Sequence, residues 1–291
     1  MQCSHPIQIP DPDNKANMIT IRCGHCRACR IEYQNQWKIR AEMEMQKHDW
    51  NMWCALTYDP VHLSLQNLEY EEDVQLSHLG RVGKFDSLEK QELKLFWKRF
   101  RKAVYPIKVR YMQCGEYGDK FGRPHYHCII FGMSPDHKVF KGFVYDPSRK
   151  GFVGHLPQWP FGEFWYSEKP ATLQNAAYLA KYIHKKHKGK DAAEYYSELN
   201  INPEFFSVST RPGIGSEVID DNADYFFTNP FYRVGDKKMS LPRYAVERLS
   251  RANPEFKAAY DWYNAENRKN LNFIGFNGDQ QERNLAHVIK N

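Results

Sequence analysis

Two histidines separated by one residue are the first candidates for chemistry in this sequence. They are His125 and His127, and Glu116 precedes them. Side chains two residues apart on a β-strand project from the same face, so we expect the imidazoles side by side. An antiparallel turn through residues 118–123 would bring the Glu116 carboxylate alongside. Two imidazoles and a carboxylate suit Mg²⁺ or Mn²⁺ holding a phosphate, whereas an isolated His-X-His pair is more often a surface feature.

Two tyrosines one helical turn apart are the candidate nucleophiles. Tyr178 and Tyr182 stand four residues apart, and Lys181 lies beside them on the same predicted helix. A phenol with a pKa of about 10 attacks weakly at neutral pH, so a neighbouring ammonium and a metal-polarised phosphate would make it a nucleophile. The alternative is structural: two amphipathic tyrosines at the edge of the core, with Lys181 in solvent.

A cluster of cysteines near the N-terminus has the spacing of a metal site. Its members are Cys23, Cys26 and Cys29, with Cys3 as the available fourth thiol. Four thiolates predict a tetrahedral structural Zn²⁺, in which His5 or His25 could replace one cysteine. Free thiols in a reducing compartment and an iron–sulfur cluster are the alternatives. The remaining cysteines lie in apolar strands and are expected in the core: Cys54, Cys114 and Cys128.

Three predicted strands and two predicted helices position these residues. The strands are 53–58, 109–115 and 125–131, and the helices are 87–104 and 171–186, from their alternating and helical apolar patterns. This order indicates an α+β fold in which helices cover an antiparallel sheet. After residue 203 the pattern weakens, and no element is predicted around the glycine loop 211–215. That loop is a weak candidate for approach to phosphate.

The composition suits a nucleic-acid partner. The 291 residues carry a net charge of +6 and 15% aromatic residues, a mixture of basic and stacking groups that suits single-stranded nucleic acid, although this charge alone fits many proteins. Basic residues gather at 94–110 and 181–190, and acidic ones at 69–73 in a predicted loop or hairpin. No apolar run approaches a membrane span and no signal peptide is evident, so we expect no membrane and a reducing cytoplasm.

Three motifs together resemble the HUH endonucleases that initiate rolling-circle replication. They are Ala-Leu-Thr-Tyr-Asp-Pro at 55–60, His-Tyr-His at 125–127 and Tyr-Leu-Ala-Lys-Tyr at 178–182. Within that superfamily, further segments are similar to the replication initiators of gokushovirus-type small single-stranded DNA phages, the Microviridae: 23–30, 114–118, 159–162 and 211–215. The similarity runs from about residue 23 to 243, and the acidic insertion between 62 and 85 departs from the family pattern.

The resemblance implies an RRM-like sheet that carries the metal site on its central strand, with the tyrosine helix packed opposite. It implies His125, His127 and Glu116 as metal ligands, and Tyr178 and Tyr182 as nucleophiles that form a 5′-phosphotyrosine and release a 3′-hydroxyl to prime synthesis. Single-stranded viral DNA and its replication origin would be the substrate, host helicase and polymerase the partners, and the bacterial cytoplasm the location.

Three regions follow from these motifs: a cysteine-rich segment at 1–45, an HUH nuclease core at 46–200, and a C-terminal extension with a polar tail at 201–291. One alternative function is a zinc-containing protein that binds single-stranded nucleic acid without catalysis. A transposase or relaxase with the same chemistry is another. Two tyrosines on one helix favour a replication initiator over a single-tyrosine transposase.

Overall fold

The computed structural model describes residues 3–11, 14–59, 62, 87–118, 122–185 and 192–273. The chain divides into two compact units, Met1–Val218 and Ile219–Asn291. The predicted acidic loop at 69–73, most of the lysine-rich run 181–190 and the end of the polar tail lie outside the described residues. None of the described helices is long and apolar enough to cross a membrane.

Strands and helices alternate along the whole described chain. In chain order they are β1 (Ile7–Pro10), β2 (Met18–Ile21), α1 (Arg27–Met45), β3 (Asn51–Leu56), α2 (Lys90–Ala103), β4 (Arg110–Tyr117), β5 (Pro124–Phe131), β6 (Val144–Asp146), β7 (Gly151–Leu156), β8 (Trp159–Pro170), α3 (Leu173–Lys185), α4 (Ala192–Glu198), β9 (Phe205–Val208), α5 (Ser216–Asp221), α6 (Ala223–Thr228), β10 (Phe231–Val234), β11 (Lys237–Ser240), α7 (Arg243–Ala252) and α8 (Glu255–Phe273).

Seven strands form one antiparallel sheet in the order β6-β7-β8-β3-β5-β4-β9. The strands predicted at 53–58, 109–115 and 125–131 correspond to β3, β4 and β5, which are neighbours in this sheet. The helices predicted at 87–104 and 171–186 correspond to α2 and α3. The predicted α+β fold, with an antiparallel sheet covered by helices, is confirmed.

The alternation of β5 separates two cores. Tyr126, Cys128 and Ile130 point into the core that α2 covers, together with Leu93, Phe96, Trp97 and Phe100. Ile129 and Phe131 point into the core on the other face, together with Ala176, Leu179 and Ala180 of α3 and Ala41 of α1. Because successive residues of a strand alternate in direction, the odd-numbered histidines of β5 lie on the face that α3 covers.

Helix α1 has no counterpart among the predicted elements, and it packs along α3. Its Glu44 is 3% exposed and accepts hydrogen bonds from Arg110 Nη1 at 3.0 Å and from the Gly215 amide at 2.7 Å. Gly215 has φ +79°, and a Cβ there would stand 2.9 Å from the Arg40 carbonyl oxygen. The glycine at 215 therefore permits close packing on α1, and its amide is already used by Glu44 rather than open to a phosphate.

Beyond residue 203, where no element is predicted, the structure has β9 and the second unit. That unit contains the β10–β11 hairpin and the helices α7 and α8, which pack together. Leu249 of α7 and Phe256 of α8 are buried in it.

Candidate active site

The β4–β5 hairpin brings the three predicted metal ligands together. In its register Glu116 lies opposite His125, and Cys114 lies opposite His127, so all three candidate ligands share one face of the sheet. His125 Nε2 and His127 Nε2 stand 3.0 and 2.8 Å from the same oxygen, Glu116 Oε1. The three ligand atoms lie within 4.8 Å of one another. Two nitrogens and one carboxylate oxygen converge on one point, as ligands of a single divalent ion must.

The charges of this cluster are interlocked. Burial raises the pKa of Glu116, but hydrogen bonds with His125 and His127 outweigh it and lower the pKa to about 2. Burial lowers the pKa of His125, yet the hydrogen bond to Glu116 leaves it above its ordinary value, whereas burial keeps the pKa of His127 below. A carboxylate that stays ionised between two imidazoles is the form that can ligate a cation.

The two tyrosines occupy different positions relative to this cluster. Tyr178 Oη donates a hydrogen bond to Glu116 Oε1 at 2.7 Å, and its ring meets the His127 imidazole edge-on at 5.3 Å between centroids. Tyr182 Oη donates in turn to Tyr178 Oη at 2.8 Å. Tyr178 is 37% exposed and Tyr182 only 3%. The phenol of Tyr178 is therefore both at the cluster and accessible, while Tyr182 lies behind it.

The third predicted residue of this helix, Lys181, is exposed on α3. Within the part of the chain that the structure describes, its ammonium belongs to none of the contacts around Glu116. The structure thus brings together Glu116, His125, His127, Tyr178 and Tyr182, and leaves Lys181 in solvent beside them.

One residue that the sequence reasoning placed only in a strand also belongs to this cluster. The indole of Trp53 on β3 stacks on the His127 imidazole, with centroids 5.2 Å apart and planes 3° from parallel, and it meets the Tyr178 ring edge-on at 6.0 Å. The signal for it lies in the sheet register. Ala55 pairs with His127, so Trp53, two residues earlier, points to the same face.

Several other candidates for DNA contact are committed to the fold. On β8, Trp159 and Phe164 are fully buried in the core under α2, and Tyr166 is 4% exposed, so these rings are closed to bases. In the basic segment 94–110, Arg99 donates to the Gln158 carbonyl oxygen and Arg110 pairs with Glu44. The exposed lysines of α2 project from the sheet face opposite the histidines: Lys94, Lys98 and Lys102.

The four predicted zinc ligands form a second cluster. The sulfur atoms of Cys3, Cys23, Cys26 and Cys29 lie within 4.8 Å of one another, and all four thiols are free. The Cys26 and Cys29 sulfurs are 3.4 Å apart, and Cys26 and Cys3 are 3.8 Å apart. Hydrogen bonds from backbone amides, chiefly that of Cys29, lower the pKa of Cys26 to about 5, which favours the thiolate that ligates metal.

The histidines considered as substitutes lie outside this cluster. His5 and His25 are exposed, and neither belongs to the group of four. Cys54, Cys114 and Cys128 are fully buried in the core, as predicted. Four sulfurs at the start of α1 can therefore bind a metal such as zinc.

The region that contains this site matches a known family. Residues 51–187 match the family model of the replication-associated protein ORF2. No solved structure matches the chain significantly. The matched residues include β3, β4, β5 and α3, which carry the histidine, glutamate and tyrosine cluster.

Proteins of three small phages are similar over most of the chain. The replication-associated protein VP4 of Bdellovibrio phage phiMH2K is 27% identical over 244 residues, which are 82% of this chain and 70% of that protein. Replication-associated protein ORF4 of Chlamydia phage 1 is 26% identical over 272 residues, 87% of this chain and 60% of that protein. Replication-associated protein ORF2 of Spiroplasma virus 4 is 27% identical over 248 residues, 80% and 68%. The chain therefore belongs to the phage replication-associated proteins, and its residues 51–187 carry the match to their family model.

Proposed function

We propose that this protein initiates phage replication as an HUH-type endonuclease that nicks and rejoins DNA through a tyrosine nucleophile. The observation that carries the proposal is the contact of an exposed phenol, Tyr178, with the carboxylate that both histidines share. A merely structural tyrosine at the core edge does not require two imidazoles and a carboxylate at its hydroxyl. The similarity to phage replication-associated proteins supports the same role.

In the proposed reaction, Tyr178 Oη forms a bond to the scissile phosphorus while the bond from phosphorus to the 3′-oxygen breaks. The phenol loses its proton and the departing 3′-oxygen gains one, so the products are a 5′-phosphotyrosine and a free 3′-hydroxyl. Glu116 Oε1, 2.7 Å from the phenol, holds the hydroxyl proton on the side of the cluster and leaves the oxygen lone pairs for the phosphate. One phosphoester replaces another, so no nucleotide cofactor is needed.

The residues present fit a divalent ion. His125, His127 and Glu116 would hold Mg²⁺ or Mn²⁺, and the bound ion would neutralise charge that develops on the scissile phosphate. Lys181, exposed on the same helix as the tyrosines, is proposed to add positive charge where the DNA backbone enters.

Replication of a circle needs a second cleavage, and Tyr182 is the proposed second nucleophile. It hydrogen-bonds Tyr178 from one turn further along α3 but is buried, so it cannot reach the phosphate until the first tyrosine is displaced. Attachment of DNA to Tyr178 breaks that hydrogen bond and is proposed to give Tyr182 its turn. The order of attack is thus Tyr178 first.

The proposed setting follows from the products. The enzyme acts on single-stranded viral DNA at its replication origin, in the cytoplasm of the bacterial host. A host polymerase would extend the 3′-hydroxyl, and a host helicase would open the duplex ahead of it. The cysteine cluster is proposed to hold a structural Zn²⁺ that secures the β1–β2 hairpin to the start of α1.

Incubation of the full chain with end-labelled phage single strands and Mn²⁺, followed by a denaturing gel, tests the proposal. We expect a detergent-stable protein–DNA adduct that the double variant Tyr178→Phe/Tyr182→Phe does not form. Wild-type protein that binds the DNA and leaves it intact would instead support the non-catalytic single-strand binding protein. A transposase or relaxase with the same chemistry would form the adduct but would not close a circle.

A further inference from the structure

The two candidate histidine ligands are held in place by different means. His125 Nδ1 lies 3.0 Å from the carbonyl oxygen of Arg123, which fixes its ring through a hydrogen bond on the side away from the cluster. His127 Nδ1 is buried and has no hydrogen-bond partner among the described residues. Metal-bound histidines usually donate the second ring nitrogen to an oxygen that fixes the ring plane. For His127 some other contact must do so.

The indole of Trp53 is that contact. It lies face to face with the imidazole, 3° from parallel and 5.2 Å between centroids, and covers one whole face of the ring. Its edge contact with Tyr178 at 6.0 Å places the same indole beside the proposed nucleophile. Trp53 itself is fixed by β3 and is partly buried against the apolar layer between the sheet and α3.

We propose that Trp53 is a positioning residue of the metal site, which fixes the imidazole plane of His127 by stacking instead of by a hydrogen bond. The inference rests on the metal-ligand role proposed above for His127. Without the indole, the His127 ring can turn about its Cβ–Cγ bond, and Nε2 is aimed at the ion for a smaller part of the time. Loss of the stack should therefore weaken metal binding even in a folded protein.

Titration of the full chain with Mn²⁺, with free Mn²⁺ measured by electron paramagnetic resonance, tests this inference. Trp53→Met keeps an unbranched apolar side chain but removes the planar ring, and we expect Mn²⁺ to bind about 10-fold more weakly or worse. Trp53→Phe keeps an aromatic plane and should restore most of the affinity. The thiolates of the cysteine cluster are soft ligands and compete little for Mn²⁺.

Trp37 on α1 provides the matched control. It packs against the same apolar layer and stacks edge-on with Phe206 at 4.9 Å, away from the histidines. Trp37→Met should lower thermal stability and leave Mn²⁺ affinity unchanged, while His127→Ala defines the loss expected when the ligand itself is removed. Trp53→Leu serves as the second variant if Trp53→Met fails to fold.

A folded Trp53→Met or Trp53→Leu protein that binds Mn²⁺ as tightly as wild type would overturn the inference and leave Trp53 a packing residue only. Equal losses in the Met and Phe variants would also contradict it, because stacking would then not matter. The proposed function fails separately: wild-type protein that binds Mn²⁺ through His127 but forms no DNA adduct would refute catalysis and leave the role of Trp53 standing.

Discussion

At the scale of single residues, one carboxylate organises the site. Glu116 Oε1 accepts hydrogen bonds from two imidazoles and one phenol, all within 3.0 Å. Because Glu116 is 3% exposed and its pKa is held at about 2, the negative charge is permanent and needs positive partners. The same requirement accounts for the proposed metal ion.

Removal of either histidine should abolish cleavage. We expect His125→Ala and His127→Ala to lower the rate of adduct formation by at least about 100-fold, more than the loss of an outer partner costs. DNA affinity should change little, because phosphate contacts elsewhere supply most of it. His155→Ala, at an exposed histidine of β7 outside the site, is the control. A variant that nicks at the wild-type rate with Mn²⁺ present would show that the metal ligands are misassigned.

The two tyrosines should contribute unequally. Tyr178→Phe removes the exposed phenol at Glu116 and should reduce the adduct yield strongly, while Tyr182→Phe should retain most of it; both should lose strand joining. The double variant should form no adduct, and Tyr105→Phe, at a tyrosine that is 83% exposed, should behave as wild type. Comparable adduct yields in the two single variants would contradict the proposed order of attack.

At the scale of elements, α1 connects the two candidate metal clusters. It begins at Arg27 directly after the Cys26 thiol, packs along the tyrosine helix α3, and carries Glu44 near its other end. A zinc ion at its start would fix the helix against the β1–β2 hairpin, and Glu44 fixes it against β4 and the 211–215 loop. Changes at either end should therefore affect stability before chemistry.

The cysteine cluster should bind one zinc ion per chain. Cys26→Ser is expected to lose that zinc and, if about 2 kcal/mol of stability goes with it, to lower Tm by roughly 4–8 °C for a unit of this size. His25→Ala, at the exposed histidine between the ligands, should keep both zinc and Tm. Zinc analysis by mass spectrometry and a thermal melt give the two readings. Full zinc content in Cys26→Ser would favour free thiols.

The glycine loop gives a test of the packing on α1. Gly215→Ala should destabilise the first unit by more than the roughly 1–2 kcal/mol that a left-handed backbone costs a non-glycine residue, because its Cβ would also meet the Arg40 carbonyl oxygen at 2.9 Å. Gly235→Ala is the control, with φ +57° and no heavy atom within 4 Å of the added Cβ. Urea unfolding of both variants compares them. Equal losses would mean that the close approach costs nothing.

At the scale of the whole molecule, the site depends on contacts of long range. Glu116 and His125 come from one hairpin, and their meeting follows from strand alternation and a short turn, so the sequence alone predicts it. Tyr178 reaches Glu116 across 62 residues of sequence only because α3 packs on that face of the sheet. No local pattern contains this distance, and for Tyr178 it was the family resemblance that suggested proximity.

Other features lay beyond sequence reasoning for the same physical reason. The Trp53 stack needs the pairing of β3 with β5, and the role of Gly215 needs the packing of the 211–215 loop on α1. Aromatic residues such as Trp159 and Phe164 read equally as stacking surfaces or as core until burial decides between them. Helical amphipathicity, by contrast, placed α2 correctly, because its apolar face is a local repeat.

The most direct test of the central claim is to identify the atom that carries the DNA. The adduct is trimmed with nuclease, digested with trypsin and analysed by mass spectrometry; cleavage after Lys181 separates the peptide that contains Tyr178 from the peptide 182–185 that contains Tyr182. We predict a 5′-nucleotide on the peptide that ends at Lys181, localised to Tyr178 by fragmentation. A nucleotide found on neither tyrosine would contradict the account.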